Sequence, residues 1–107
     1  MTTSEVVPEH PGKTLFRTLI EPQKINRKQL RERMGLSVMG LYNVFYGKTR
    51  ISSEMAWKFE VILGVSAEQL LEQQAEWDLW KAKEALKECS TWTGRPMLTS
   101  HQLDLAM

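Results

Sequence analysis

Apolar side chains recur every three or four residues along most of the chain between positions 11 and 88. This spacing places them on one side of an α-helix and is typical of amphipathic helices that share a core. Residues that end helices interrupt the pattern at Pro22, Gly35, Gly47 and Gly64. The pattern therefore predicts an all-α fold of five helices, and no segment shows a convincing strand pattern.

Capping residues support these helix boundaries. A Ser or Asn side chain just before a helix accepts a hydrogen bond from a free backbone N–H of the first turn. Such residues precede the second to fifth predicted helices: Asn26, Ser37, Ser52 or Ser53, and Ser66. The fifth helix, residues 67–88, is predicted to be long, because no Gly or Pro follows before Gly94.

The second and third helices have the spacing of a helix-turn-helix. Gly35 supplies the residue that tolerates positive φ in the tight turn, Leu36 points inward, and Ser37 begins the next helix. Leu41 and Val44 lie where that helix must pack on the preceding one. In this motif the second of the two helices enters the DNA major groove with its N-terminal residues at the base edges. We call it the reading helix.

The outer side of the reading helix is apolar or neutral, but this composition is compatible with base recognition. Val38 and Met39 can contact thymine methyl groups, and Asn43 can bond bidentately to adenine. A glycine permits close approach of the backbone to DNA, and a tyrosine can donate a hydrogen bond. The predicted base-reading residues are Val38, Met39, Gly40, Tyr42 and Asn43.

Phosphate contacts are expected from residues that flank the reading helix. Affinity for DNA comes mainly from cations placed near phosphates. The predicted phosphate-binding residues are Arg27, Lys28, Ser37, Tyr46, Lys48 and Arg50. The charge distribution agrees: residues 1–50 hold nine Lys and Arg against four acids, a net +5, and residues 51–107 hold five against nine, a net −4. Such asymmetry indicates one surface that faces a polyanion, unless it is ordinary solvated charge.

The fifth helix carries candidate residues for a dimer interface. Trp77 and Trp80 are three residues apart and share a helix face, with Leu71 about two turns earlier. A dimer would also set two reading helices about one DNA turn apart. Equally, these tryptophans could close the core of their own subunit against the first helix. Trp57 is expected in the core or at its rim, and Trp92 lies in the C-terminal tail.

Other kinds of chemistry find little support. The chain has one cysteine, Cys89, and two histidines, His10 and His101, which are expected on terminal arms. This set offers no disulfide, no metal-ligand spacing and no catalytic residues, and Glu72, Glu76 and Asp78 read as a solvated helix face. No cofactor and no small-molecule substrate are therefore expected.

Three regions and a cellular location are predicted. Residues 1–9 are expected to be a flexible arm, 10–88 the helix-turn-helix domain with a dimerising fifth helix, and 89–107 a tail with a possible short element at 101–107. No apolar run reaches the roughly 20 residues that a membrane span needs. No export signal is visible, so a cytoplasmic location is expected and no membrane partner.

Several segments of the chain resemble a known family. They are "HPGKTL" (10–15), "GLS" (35–37), "YGKTRIS" (46–52), "MAWKFEVILGVSAEQLL" (55–71) and "AEWDLWKAK" (75–83). Together they make the chain similar to HigA-type antitoxins of bacterial type II toxin–antitoxin modules, within the Xre/Cro-like (lambda-repressor-like) helix-turn-helix class. The resemblance spans roughly residues 10–83.

This resemblance implies a function. It implies a homodimer that binds a palindromic operator in its own promoter and represses its operon. It also implies neutralisation of a RelE/HigB-like mRNA endonuclease encoded beside it, with no catalysis by the antitoxin itself. A solitary phage-like or chromosomal repressor without a toxin, or a protein-interaction module that has lost DNA binding, would share the same helix-turn-helix pattern.

The chain departs from the family pattern at a few positions. Arg31 stands where family members usually have a small residue against the helix pair, so its side chain must bend outward. Positions 38 and 39 are apolar, whereas one of them often carries a polar or basic residue. Gln69 and Gln73 replace apolar residues. These departures bear on DNA affinity and on the surface that holds a partner, and they leave the scaffold itself unchanged.

Overall fold

Five helices and no strand make up the part of the chain that the structure describes, residues 7–98 of a computed structural model. The all-α, five-helix expectation is therefore confirmed over this part. Residues 1–6 of the predicted arm (residues 1–9) and the predicted short element at 101–107 lie outside the described residues. Residues 89–98 contain turns and bends without a helix.

The first helix, α1, begins with an unusual cap. It spans Pro11–Leu15 and continues directly as a π-helical segment, Phe16–Ile20. The imidazole of His10 caps it, because the Gly12 N–H donates to His10 Nδ1 at 2.9 Å. Pro at the first helical position costs no hydrogen bond, since that N–H would have no partner within the helix.

The helix-turn-helix forms as its capping residues predict. The second helix, α2, spans Arg27–Met34 and is capped by the Asn26 side chain. Gly35 ends it at φ 74°, in the left-handed region that glycine adopts without strain. The reading helix, α3, spans Val38–Phe45, and the Gly40 N–H donates to Ser37 Oγ at 2.9 Å.

The last two helices pack on this pair. Helix α4 spans Ser53–Leu63 with Ser52 as its cap, and Gly64 ends it at φ 78°. Helix α5 spans Ala67–Lys87 with Ser66 as its cap. A hydrogen bond between the two helices, from the Ala67 N–H of α5 to Glu60 Oε1 of α4 at 2.9 Å, holds the start of α5 against α4.

One hydrophobic core joins all five helices. Its buried members are Leu15, Ile20, Leu30, Met34, Leu41, Val44, Phe45, Ile51, Ala56, Phe59 and Leu70. Every helix contributes, as its apolar stripe predicts. At about 25 cal/mol per Å² of apolar area, burial of these side chains is the main favourable term in folding.

Trp57 is not part of the core, and that expectation was wrong. Its side chain is 59% exposed, and Val61, one turn further along α4, is 65% exposed. The neighbouring Ala56 and Phe59 are fully buried and define the inner face of α4. Since successive residues turn by about 100° around a helix, Trp57 falls on the opposite side.

The placement of His10 on a terminal arm was also wrong. His10 is 1% exposed, and its ring lies edge-on to Trp77, with 5.9 Å between ring centroids. Glu9 is anchored as well: its carboxylate accepts from Thr14 Oγ1 at 2.6 Å and pairs with Arg17 at 2.7 Å. Asp78, expected on a solvated face, pairs with Arg50 and accepts from Gln74 instead.

Candidate nucleic-acid interface

In the part of the chain that the structure describes, the outer face of the reading helix is exposed. Met39 is 61% exposed and Val38 48% exposed, whereas Leu41, Val44 and Phe45 on the inner face are buried. Two exposed apolar residues at the start of a short helix cost solvation free energy unless a partner covers them. This end of the helix is the end that meets base edges in the helix-turn-helix motif.

The predicted base-reading residues share this helix and occupy its outer surface. Tyr42 and Asn43 are half-buried, and the Tyr42 ring stacks on Tyr46 with 5.8 Å between centroids. A Cβ added at Gly40 would lie 3.1 Å from Ser37 Oγ, so the backbone here lies unusually close to the capping side chain. The hydroxyl of Ser37 accepts from Gly40 and still has its own proton to donate.

Close contact with α1 fixes the position of the reading helix. A Cβ at Gly12 would lie 2.0 Å from the Val44 carbonyl oxygen, so the two backbones touch where α1 crosses α3. Just after the C-terminal end of α3, Gly47 adopts φ 77°, and a Cβ added there would lie 3.0 Å from Lys13 Cε and 3.3 Å from His10 Cβ and Cγ. The "HPG" segment thus sets the angle of the reading helix through backbone contact.

A cleft runs beside the reading helix where it crosses α2. It has a volume of about 220 Å³ and brings two predicted phosphate-binding residues next to two predicted base readers. Its lining consists of Arg27, Lys28, Arg31, Val38, Leu41 and Tyr42. The guanidinium of Arg27 lies 5.0 Å above the Phe16 ring, a cation–π distance that holds it at the rim. Arg31 is half-buried here.

Two further cations among the predicted phosphate-binding residues, Lys48 and Arg50, lie beyond the C-terminal end of α3 and differ from each other. Lys48 is exposed, and its N–H closes the turn by donating to the Asn43 carbonyl at 2.8 Å. The guanidinium of Arg50, in contrast, pairs with Asp78 on α5. This pairing lowers the pKa of Asp78 below its usual range. Arg50 is therefore directed towards α5, and Lys48 is the freer cation.

Gln74 ties the loop after the reading helix to α5, and sequence reasoning missed it. Its side chain is 1% exposed. Its Oε1 accepts from the Ile51 N–H at 2.7 Å, and its Nε2 donates to Asp78 Oδ1 at 2.9 Å. This satisfies a buried backbone donor that no helix could satisfy. A glutamine among polar residues of a long helix carries no signal of such a role.

The predicted dimer residues are partly used within the subunit. Trp77 and Trp80 stack with 5.5 Å between ring centroids, and Trp77 contacts the His10 ring. Leu71 is half-buried against the core. The idea that the tryptophans pack on their own subunit is thus supported for Trp77. All three side chains keep part of their surface exposed.

Within residues 7–98, no group of three or more His, Cys, Asp or Glu side chains is close enough to hold a metal ion. In the same range, no helix is both long and apolar enough to cross a membrane. Cys89 is exposed just after α5.

Comparison with protein families gives a match over about half of the chain. Residues 16–70 match the helix-turn-helix family model HTH_3. The matched segment starts with the π-helical segment that follows α1, contains α2, α3 and α4 entirely, and ends in the first turn of α5. No curated protein matches the sequence significantly.

Solved structures with the same fold include antitoxins. A putative antidote protein of a plasmid maintenance system from Nostoc punctiforme is 29% identical, with a TM-score of 0.69 over 78% of this chain and 90% of that one. Pseudomonas aeruginosa antitoxin HigA with higBA promoter is 23% identical, with a TM-score of 0.72 over 85% and 99%. A P. aeruginosa protein in complex with its 28-bp operator DNA is 23% identical, with a TM-score of 0.67 over 76% and 89%.

Proposed function

Because this chain belongs to the Xre-like helix-turn-helix family, we propose that it is an antitoxin that binds operator DNA through α3 and represses its own operon. One observation carries the DNA-binding part. The outer face of α3 is exposed at Val38 and Met39, while Lys28 and Lys48 flank its two ends without an acidic partner among the described residues.

Base recognition would rest on shape and on one amide. Val38 and Met39 offer apolar surface to thymine methyl groups at the start of α3. Gly40, without a side chain, lets the backbone approach the groove. Asn43, one turn later on the same face, can donate to and accept from adenine. Tyr42 would donate to a base or to a phosphate at the groove edge.

Phosphate contacts would surround this reading surface. Lys28 and Arg27 lie at the N-terminal end of α2, and Lys48 follows α3 on the other side. The hydroxyls of Ser37 and Tyr46 would donate to phosphates from the two ends of α3. Arg50 would contribute through the field of its charge, which Asp78 partly neutralises.

Substitution of Asn43 tests the base-reading role. Asn43→Ala should weaken binding to the operator by about 1 to 3 kcal/mol and leave binding to random DNA unchanged, because the amide contacts bases. The measurement is equilibrium binding to the two duplexes at one salt concentration. Equal losses on both duplexes would remove Asn43 from base reading.

Substitution of Lys48 tests the phosphate role. Lys48→Ala should weaken binding to both duplexes and reduce the slope of log affinity against log salt by about one. Lys58→Ala is the matched control, because Lys58 donates to the Met34 carbonyl at 3.1 Å and faces α2. A slope that stays the same in Lys48→Ala would contradict a phosphate contact.

The DNA-binding form would be a homodimer. Leu71, Trp77 and Trp80 each leave part of their surface exposed along α5, which supports an apolar contact between two copies. Sedimentation of Trp80→Ala should show a weaker dimer, whereas Trp57→Ala on α4 should match the unmodified protein. A monomer at all concentrations in the unmodified protein would contradict this proposal.

Fold similarity to antitoxins supports the proposal that this protein is an antitoxin. It would act in the cytoplasm, where it would bind its toxin. The partner would be a HigB/RelE-like mRNA endonuclease encoded next to this chain. Co-expression should restore growth arrested by that neighbour, and the two proteins should co-purify. Growth arrest that persists, or a neighbouring gene that arrests nothing, would leave a repressor without a toxin.

A further inference from the structure

The cleft between α2 and α3 is lined by more positive charge than the residues at the start of α2 alone supply. Three cationic side chains line it, and none of the residues that line it is acidic. Two of the three, Arg27 and Lys28, are at the start of α2. The third is Arg31, at the position where the two helices cross.

Arg31 shares one face of α2 with the other two cations. It follows Lys28 by three residues and Arg27 by four, so their side chains are neighbours on the helix surface. The four ion pairs of the described residues involve none of the three. Like charges at this spacing oppose helix formation. An anion placed between the three cations would attract all of them and so offset this repulsion.

The surroundings of the cleft favour a phosphate over a base. The Arg27 guanidinium lies 5.0 Å from the Phe16 ring centroid, and Tyr42, whose hydroxyl can donate to a phosphate, also lines the cleft. Met39 and Asn43, which are placed to face bases, do not line the cleft. A guanidinium binds phosphate oxygens bidentately, and Arg31 is half-buried, so fewer of its rotamers remain to be restricted on binding.

We propose that Arg31 binds a DNA backbone phosphate in the cleft between α2 and α3, and that this contact adds to those of Arg27 and Lys28. The proposal rests on the proposed function of DNA binding. The Arg31 side chain lies beside the reading helix and supplies positive charge that the helix itself lacks.

The test compares Arg31→Ala with Arg33→Ala across a salt series, on the duplex upstream of the coding region and on a scrambled duplex. Arg33 is exposed on the same helix and lines a different depression, with Gln29 and Ile62, so the control removes the same charge elsewhere. Arg31→Ala should lose about one unit of salt slope and bind both duplexes about fivefold more weakly near 0.15 M salt. Arg33→Ala should keep the unmodified slope.

Two further measurements secure the interpretation. Arg31→Gln keeps the length of the side chain without its charge and should behave like Arg31→Ala, whereas Arg31→Lys should keep the slope. Without DNA, Arg31→Ala should unfold at the same or a higher temperature, because a like-charge contact is removed.

Three outcomes would overturn the proposal. If Arg31→Ala keeps the unmodified slope, Arg31 binds no phosphate. If its loss is confined to the upstream duplex, Arg31 reads a base instead. If the unmodified protein shows no salt-dependent binding to either duplex, the proposed DNA-binding function fails and this contact fails with it.

Discussion

Two buried polar side chains, His10 and Gln74, hold the parts of the molecule that present the reading helix. Each is 1% exposed, and each accepts a hydrogen bond from a backbone N–H, that of Gly12 and that of Ile51. A hydrophobic pattern predicts polar residues outside the core, so the burial of these two side chains could not be predicted from the sequence. The His10 cap on Gly12 is local, but the bond from Ile51 to Gln74 and the contact of His10 with Trp77 join segments far apart in the chain, which no local spacing reports.

Gln74 offers a direct test of such a contact. Gln74→Leu should lower the free energy of unfolding by about 1 to 3 kcal/mol, because the buried Ile51 N–H loses its acceptor. Gln69→Leu is the matched control, since Gln69 is exposed on the same helix. Chemical denaturation of both variants measures the difference. Equal stability of the two variants would show that the Ile51 N–H finds another partner at little cost.

His10 should make stability depend on pH below neutrality. Burial and the nearby Lys13 lower the pKa of His10, against the opposing effect of Asp78 and of the Thr49 carbonyl, which lies near the ring outside hydrogen-bond geometry. Since the unfolded chain then binds the proton more tightly, stability is full above the unfolded pKa near 6.5 and falls as pH drops below it. Protonation also removes the Nδ1 acceptor of the helix cap.

The expected loss is at most about 1.4 kcal/mol per pH unit between pH 7.5 and 5. The lowered pKa values of Glu9 and Asp78 reduce stability only from about pH 5 downward, as these carboxylates begin to protonate in the unfolded chain. His10→Asn keeps a capping acceptor without a titration near neutrality, so its unfolding free energy should be flat in this window. A similar decline in both proteins would assign the effect to another group.

Helix boundaries were predictable where capping chemistry is local. Ser37, Ser52 and Ser66 each accept from a first-turn N–H, and Gly35 and Gly64 adopt positive φ at the helix ends. The π-helical continuation of α1 was not predictable, because it differs from an α-helix by a bond shift that leaves the apolar spacing almost unchanged. The exposure of Trp57 was not predicted either, because residue type alone does not decide the helix face on which a side chain lies.

Gly12 tests how α1 positions the reading helix. Gly12→Ala should destabilise the protein by about 3 kcal/mol, because its Cβ would overlap the Val44 carbonyl oxygen. Gly35→Ala provides the comparison: no atom lies within 4 Å of its added Cβ, and the cost is the left-handed backbone alone, about 1 to 2 kcal/mol. Thermal or urea unfolding measures both. A smaller loss in Gly12→Ala than in Gly35→Ala would mean that α1 shifts freely.

Across the whole molecule, the N-terminal half of the sequence is basic and the C-terminal half is acidic. The net +5 of residues 1–50 comes mainly from α2 and from Lys48 and Arg50 after α3, whereas α3 itself has no charged side chain. The net −4 of residues 51–107 lies mainly on α4 and α5. Within the described residues the ion pair between Arg50 and Asp78 joins the two halves. This separation leaves basic residues around the reading helix, as a surface that faces a polyanion requires.

The most direct test of the central claim is equilibrium binding of the unmodified protein to the duplex immediately upstream of its coding region. A scrambled duplex of equal length and composition is the reference, and salt is varied from about 50 to 200 mM. We predict tighter binding to the upstream duplex at every salt concentration, with affinity for both falling steeply as salt rises. Equal affinity for the two duplexes would contradict sequence reading by α3.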